Sequence, residues 1–314
     1  MTIVQLKFRP TYDDHRKVGK ETLFCLMRRL IHQFRFCGRE RTAETYSAAL
    51  NSFSRFTSGK DIRFEDIDEA LLLRYEVYLH SCGVTMNTSS FYMRILRATY
   101  NRAVERGLTE QHYPFKLVYT GIDKTIKRAI PLKYIKIIKA LNLSDNEGLE
   151  FARDMFMFSF YTRGMSLIDM AYLTSGNLCN GRLTYTRHKT GQQLSVRWER
   201  CMQEIVDKYH NKGAHYLLPI IRHEGVDERL QYKSRSSWLC NRLKRIGAMI
   251  KLDFPLTMYV ARHSWASIAR TSHIPISIIS ESMGHESEQT TQIYLSSFDY
   301  VEVDKANRRI LKML

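Results

Sequence analysis

The residues best able to do chemistry stand late in the chain. Thr257-Met-Tyr-Val-Ala-Arg262-His263-Ser-Trp-Ala-Ser is followed by Ser282-Met-Gly284-His285 and then by Thr290-Thr-Gln-Ile-Tyr294, with His285 nine positions before Tyr294. Each of these residues has an ordinary use. Tyr294 is one of 18 tyrosines, and beside Ile293 at helical spacing it would usually fill a core or an interface. Arg262 could touch a phosphate or close a surface ion pair, and His285 after a glycine could simply close a turn. Together they offer a latent nucleophile, a planar cation that fits phosphate oxygens, and a ring that titrates near neutrality.

Arginine, glycine-histidine and tyrosine in this order closely resemble the C-terminal signature of tyrosine recombinases, the phage-integrase and Xer-like family. The resemblance extends upstream. Arg187-His188-Lys189-Thr190-Gly191 is similar to the family's lysine-bearing hairpin turn, and Phe160-Tyr161-Thr162-Arg163-Gly164-Met165-Ser166-Leu167-Ile168-Asp169 to the region of its first catalytic arginine. Thr45-Tyr46, the segment from Thr88 to Gly107 with Arg97-Ala98-Thr99-Tyr100-Asn101-Arg102-Ala103-Val104, and Pro114-Phe115 resemble its core-binding domain, so the likeness spans roughly residues 20–298.

Two departures stand out, and both resemble the Bacteroidetes-type branch. Ser166 holds the arginine's usual place, and Arg163 precedes it by three residues, about one helical turn. If the segment is helical, Arg163 shares a face with Ser166 and reaches the same phosphate; otherwise it binds only backbone phosphate and the site runs one arginine short. Tyr259 replaces the histidine of the family's His-x-x-Arg pattern. A phenol can donate a hydrogen bond to phosphate, but with an ordinary pKa near 10 it is no base at neutral pH.

What the resemblance implies is metal-free, ATP-free cleavage and rejoining of DNA, with no cofactor. Tyr294 attacks the phosphorus, forms a 3′-phosphotyrosyl bond and releases a 5′-hydroxyl. Arg163 and Arg262 clamp the non-bridging oxygens, and Lys189 protonates the leaving oxygen unless it is merely a turn lysine on phosphate. His285 bonds the phosphate, the tyrosine proton goes to His285 or to water, and Tyr259 adds a neutral hydrogen bond. His263 points about 100° from Arg262 on a helix and reads as structural. The partner is double-stranded DNA carrying specific recombination sites, held by a homo-tetramer across two sites, with accessory DNA-bending or directionality proteins. Integration, excision and inversion are all compatible, and the length favours an invertase or simple element recombinase over an arm-site integrase. Two rivals share the motif: a type IB topoisomerase-like enzyme, and a non-catalytic DNA-binding protein whose site has decayed at Ser166 and Tyr259.

These side chains need elements to carry them. Apolar residues fall at helical spacing in Leu23, Leu26, Met27 and Leu30, in Tyr46, Leu50 and Phe53, and in Leu71, Leu72, Tyr75 and Leu79. The third helix is expected to start at an Asp66-x-x-Glu69 capping box and stop near Cys82-Gly83, and the fourth to run from about Asn87 to Arg106. Residues 183–197 read as two alternating strands around Lys189-Thr190-Gly191. The expected fold is therefore mainly α: an N-terminal arm over 1–20, a SAM-like helical core-binding bundle over 21–110, a basic linker over 111–130, and a mostly α catalytic domain with a small sheet over 131–314, clamp-like around DNA. The segment from Phe298 to Leu314 either docks on a neighbouring protomer or caps its own domain.

Charge fits that reading. The 314 residues carry 48 Lys+Arg against 32 Asp+Glu, a net charge of +16, as expected of a protein that holds a polyanion. Lys124, Lys127 and Arg128 in the linker, Arg187 in the hairpin, and Arg242, Lys244 and Arg245 in an acid-free stretch over 229–251 are the expected DNA contacts. In that stretch Trp238, Leu239, Leu243 and Ile246 form the core stripe, with the charges on the outer face. Six scattered cysteines without metal-ligand spacing, no signal segment and no membrane-length apolar run point to a cytoplasmic, nucleoid-associated bacterial protein.

Overall fold

The computed structural model describes residues 21–123, 128–209, 213–285, 287–294 and five positions from 307 to 313. The chain divides into two compact units, Met1–Thr125 and Ile126–Leu314.

In the first unit, α1 (Leu23–Phe36), α2 (Glu40–Phe56), α3 (Glu69–Ser81) and α4 (Met86–Glu105) enclose an apolar core. The spacing decides which face turns inward: α1 buries Leu23, Leu26, Met27 and Leu30 as the periodicity requires. Phe53 meets Tyr75 edge-on at 4.8 Å, and the buried Tyr75 hydroxyl donates to Ser52 Oγ at 2.8 Å, so the ring packs without an unsatisfied polar atom. The start of α3 differs from expectation. Its cap is Asp68, which accepts the Leu71 N–H at 2.7 Å, whereas Asp66 lies in a short 3₁₀ turn and pairs with Arg63 at 3.0 Å. Buried Ile67 separates the two carboxylates in extended backbone, so the helix cannot begin earlier.

The expected linker over 111–130 is partly core. Phe115 and Val118 are buried in the first unit, and the Tyr119 N–H donates to Glu76 at 3.0 Å. At the other end Ile130 belongs to the second core and its N–H donates to Ser264 Oγ at 2.9 Å. Gly121 and Asp123 also bond to α4, through Ser90 and Asn87, so the connecting stretch narrows to 124–129, within which Lys124 and Lys127 lie outside the described residues.

The second unit contains α5 (Leu132–Ala140), α6 (Glu147–Tyr161), α7 (Leu167–Ala171), β1 (Leu178–Cys179), β2 (Arg182–Thr186), β3 (Gln193–Arg197), α8 (Arg200–Tyr209), α9 (Glu228–Met249), α10 (Met258–Thr271), α11 (Ile276–Met283) and α12 (Glu288–Tyr294). The sequence of α6 is apolar on nearly every side, burying Leu149, Phe151, Met155, Phe156, Met157 and Phe158, and it packs against α8, α9 and α10 as the middle of this unit. The strands form an antiparallel sheet in the order β1-β2-β3, with Leu183 opposite Val196 and Tyr185 opposite Leu194. Alternation turns Leu183, Tyr185 and Val196 into the core and leaves the 187–192 loop at the end of the ladder.

Helix α9 bears out its apolar stripe but not a uniform outer face of charge. Leu239, Leu243 and Ile246 are fully buried, and Lys244 and Arg245 are exposed. Arg242 instead stacks on Trp238 at 3.5 Å, with Arg235 at 4.1 Å from the same ring. An indole face attracts a guanidinium more than it does water, so Arg242 is folded back onto its own helix. The mainly helical architecture with one small sheet agrees with the sequence expectation.

Candidate active site

Arg262 sits in the first half of α10 and is only 6 % exposed. Its Nη1 donates to the Gly164 carbonyl at 2.9 Å and its Nη2 to the Met283 carbonyl at 2.6 Å. The first carbonyl belongs to the turn after α6 and the second to the last turn of α11, where helix geometry leaves C=O groups without partners. One side chain thus ties three helices together. Gly164 must be glycine: its φ is +79°, and an added Cβ would lie 2.6 Å from the Cα of Arg262.

His285 follows the left-handed Gly284 that ends α11. Its Nε2 lies 3.0 Å from Arg262 Nη2 and its Nδ1 2.7 Å from Thr291 Oγ1. A guanidinium only donates, so Nε2 accepts and the proton resides on Nδ1, directed at Thr291. Burial, and then the cations Arg262, Arg187 and Lys189, lower the His285 pKa to about 4. The ring is therefore neutral at physiological pH.

Arg187, expected as a DNA contact, is 9 % exposed and belongs to this site. Its guanidinium donates to the Gly284 carbonyl, while its main chain closes the hairpin turn with Gln192 and Gly191. Lys189 follows within the same loop. The intervening His188 is fixed twice: its ring stacks on Tyr172 at 5.0 Å and its N–H donates to Asp169 Oδ1 at 2.9 Å.

A cavity of about 710 Å³ is lined by Gly164, Ser166, Arg187, Lys189, Tyr259, Arg262, Gly284 and His285, among others. A larger cavity of about 820 Å³ beside Tyr209, His215 and His223 shares no lining residue with it and holds none of the expected catalytic side chains. Tyr259 is 55 % exposed, one turn before Arg262, and its ring meets His263 edge-on at 4.4 Å. His263 is buried beneath that ring and does not line the cavity, in keeping with a structural histidine.

The segment from Arg163 to Ser166 is not helical, which corrects the reading that would put the two on one face. Helix α6 stops at Tyr161; Arg163 and Gly164 both have positive φ, +61° and +79°. Ser166 then caps α7, its Oγ donating to Asp169 Oδ2 at 2.6 Å while the Asp169 N–H points back to it at 3.4 Å. The same Asp169 holds His188, so the serine in the arginine's place belongs to a chain ending at the Lys189 loop. The Ser166-x-x-Asp169 spacing is the sequence signal for this cap. Arg163 is not among the residues lining the cavity. It does lie near the other cations: Arg262, Arg187 and Arg163 all favour ionisation of buried Tyr185, whose pKa burial and Asp169 push up to about 12.

Tyr294 is the last residue of α12, the helix that Thr291 fastens to His285; its side chain lies outside the described residues. Of the expected DNA contacts, Lys244, Arg245 and Arg128 are exposed, Arg128 lying 5.8 Å from the Phe254 ring. Among the described residues no helix is long and apolar enough to cross a membrane, and no group of three His, Cys, Asp or Glu side chains could hold a metal ion.

Comparisons with known proteins show the family and the fold. Residues 22–118 match the phage integrase SAM-like domain and residues 136–300 the phage integrase family. A search of curated protein sequences finds no match. Among solved structures, a lambda integrase dimer bound to a COC′ core site superposes with a TM-score of 0.67 at 16 % identity, over 88 % of this chain and 98 % of that one. XerH site-specific recombinase bound to a palindromic difH substrate gives 0.66 at 15 % identity, over 94 % and 97 %. A lambda integrase tetramer bound to a Holliday junction gives 0.66 at 16 % identity, over 91 % and 83 %.

Proposed function

This chain belongs to the phage integrase family and is a tyrosine-type site-specific recombinase, from which we propose that Tyr294 is its nucleophile and that Arg262, Arg163, Lys189, His285 and Tyr259 carry the reaction with it. The observation that supports this division is the convergence of Arg262, Lys189, His285 and Tyr259 on one cavity from α10, the β2–β3 loop and the end of α11.

A phosphodiester in that cavity meets fixed positive charge already in place, which lowers the energy of a transition state with growing charge on the phosphoryl oxygens. Tyr294 Oη attacks phosphorus as the bond to the 5′-oxygen breaks. The Lys189 ammonium passes a proton to that oxygen, and the phenol proton goes to His285 Nε2 once Arg262 Nη2 turns from that nitrogen to a phosphoryl oxygen. Neutral His285 can accept it, and the negative phosphate offsets the cations that lower its basicity. The covalent phosphotyrosine keeps the energy of the broken bond, so a 5′-hydroxyl from another duplex can displace the enzyme without ATP. Tyr259, exposed at the cavity wall, donates a neutral hydrogen bond to the phosphate.

A homo-tetramer acting on two DNA sites is the assembly this reading favours, by analogy with the lambda integrase tetramer on a Holliday junction. Exposed Ile310, Leu311 and Met313 suit a terminal segment that docks on a neighbouring protomer. Inversion or movement of a simple element within the cytoplasm is the proposed outcome.

A nicked duplex spanning inverted repeats that flank the coding region tests the assignment. Wild type is expected to form a covalent adduct that withstands denaturation, and Tyr294→Phe to form none; an adduct on Tyr294→Phe overturns the nucleophile. In the same assay Arg163→Ala should lose adduct formation far more than DNA binding, whereas equal losses would make Arg163 only a positioning contact.

A further inference from the structure

Two consecutive main-chain carbonyls at the end of α11 are held by two different arginines. Met283 is bonded by Arg262 and Gly284 by Arg187. Unpaired C=O groups carry the negative end of a helix, so guanidinium partners suit the place electrostatically. Their origins differ. Arg262 comes from α10, a rigid helix, whereas Arg187 is the first residue of the loop that carries Lys189.

The loop end is closely fitted. The Arg187 N–H donates to the Gln192 carbonyl at 2.9 Å and the Gly191 N–H to the Arg187 carbonyl at 2.8 Å, so its backbone fixes the turn. A Cβ on Gly284 would come within 2.9 Å of Arg187 Cδ, which shows how closely the aliphatic stem lies on the turn before His285. A residue that closes the hairpin with its main chain and reaches the His285 turn with its side chain fixes the distance between two parts of the site.

We propose that Arg187 is a positioning residue: by joining the Lys189 hairpin to the carbonyl beside His285, it places the Lys189 ammonium for proton delivery to the departing 5′-oxygen. The inference rests on the reading of Lys189 as the acid. Arg187 itself neither gives nor takes the proton.

The test compares two leaving groups on one duplex, recovered by covalent capture on the wild-type chain from a randomised library. One version has the ordinary 5′-oxygen and the other a bridging 5′-sulfur. A thiol is far more acidic than an alcohol and leaves without a proton, so an acid defect vanishes with sulfur while any other defect persists. Arg187→Gln is expected to slow cleavage of the oxygen duplex by about 10²-fold and of the sulfur duplex by less than about threefold. Arg187→Lys, which keeps a charged donor for the Gly284 carbonyl, should recover about tenfold of that loss.

Equal losses on both duplexes, or no loss on either, overturn the proposal. Lys189→Ala, run in parallel, separates the two readings. If it loses equally on both, the acid assignment falls and the inference with it; if it splits the substrates while Arg187→Gln does not, the inference alone falls. Should Arg187→Gln fail to fold, Arg187→Lys still decides, since slower cleavage without a split between oxygen and sulfur overturns the role.

Discussion

Burial and the neighbouring cations hold His285 at a pKa of about 4, well below the ordinary histidine value of 6.5. Above pH 6.5 the ring is neutral both folded and unfolded and titration contributes nothing. Between 6.5 and about 4 the unfolded chain takes up a proton that the folded chain refuses, so stability is lost as pH falls through that window. The thermal midpoint of wild type should therefore fall more steeply from pH 6.5 to about 4 than that of His285→Gln, measured by circular dichroism in a buffer series; parallel curves would sink the assignment. At this scale the sequence was informative about which residues share the cavity and silent about what holds them. Arg262, His285 and Lys189 stood in a recognisable order. Arg187 read as one more basic residue, because the carbonyl that defines its role is 97 positions away.

The turn between α6 and α7 does two jobs at once. Left-handed Arg163 and Gly164 reverse the chain, and the Gly164 carbonyl receives Arg262. Gly164→Ala should cost about 1–3 kcal/mol in denaturant unfolding, from the positive φ and the approach to the Arg262 backbone. Adduct formation should drop further than stability does, since the same change pushes on Arg262, the arginine proposed to hold the phosphate; a variant as stable and active as wild type would contradict both. Periodicity made the helices legible as elements, and alternation did the same for the hairpin. Boundaries were harder, for a physical reason. A carboxylate caps a helix only where the backbone has turned correctly, so Asp66 and Asp68 look alike until Ile67 is known to be extended and buried. The break at Ser166 was hidden in the same way, because one turn of helix and one tight turn both separate residues by three.

Charge is a property of the whole chain, but the +16 excess is not spread evenly over uses. Lys244 and Arg245 are exposed on α9, whereas Arg242 lies on Trp238 and Arg187 on a main-chain carbonyl. Replacing Lys244 and Arg245 together by alanine should reduce the slope of log binding constant against log salt by about 1.8, at about 0.9 per phosphate. Arg242→Ala should change that slope less and lower the thermal midpoint instead; filter binding across a salt series, with a melt of each variant, distinguishes the two kinds of arginine. The hydrophobic interior is partitioned as well. Phe115 and Val118 close one core, Ile130 opens the other, and the two share no residue. A genetic crossover anywhere in the codons for 124–129 would break neither interior, so descendants could acquire a foreign N-terminal helical bundle in a single event and keep the inherited second unit intact.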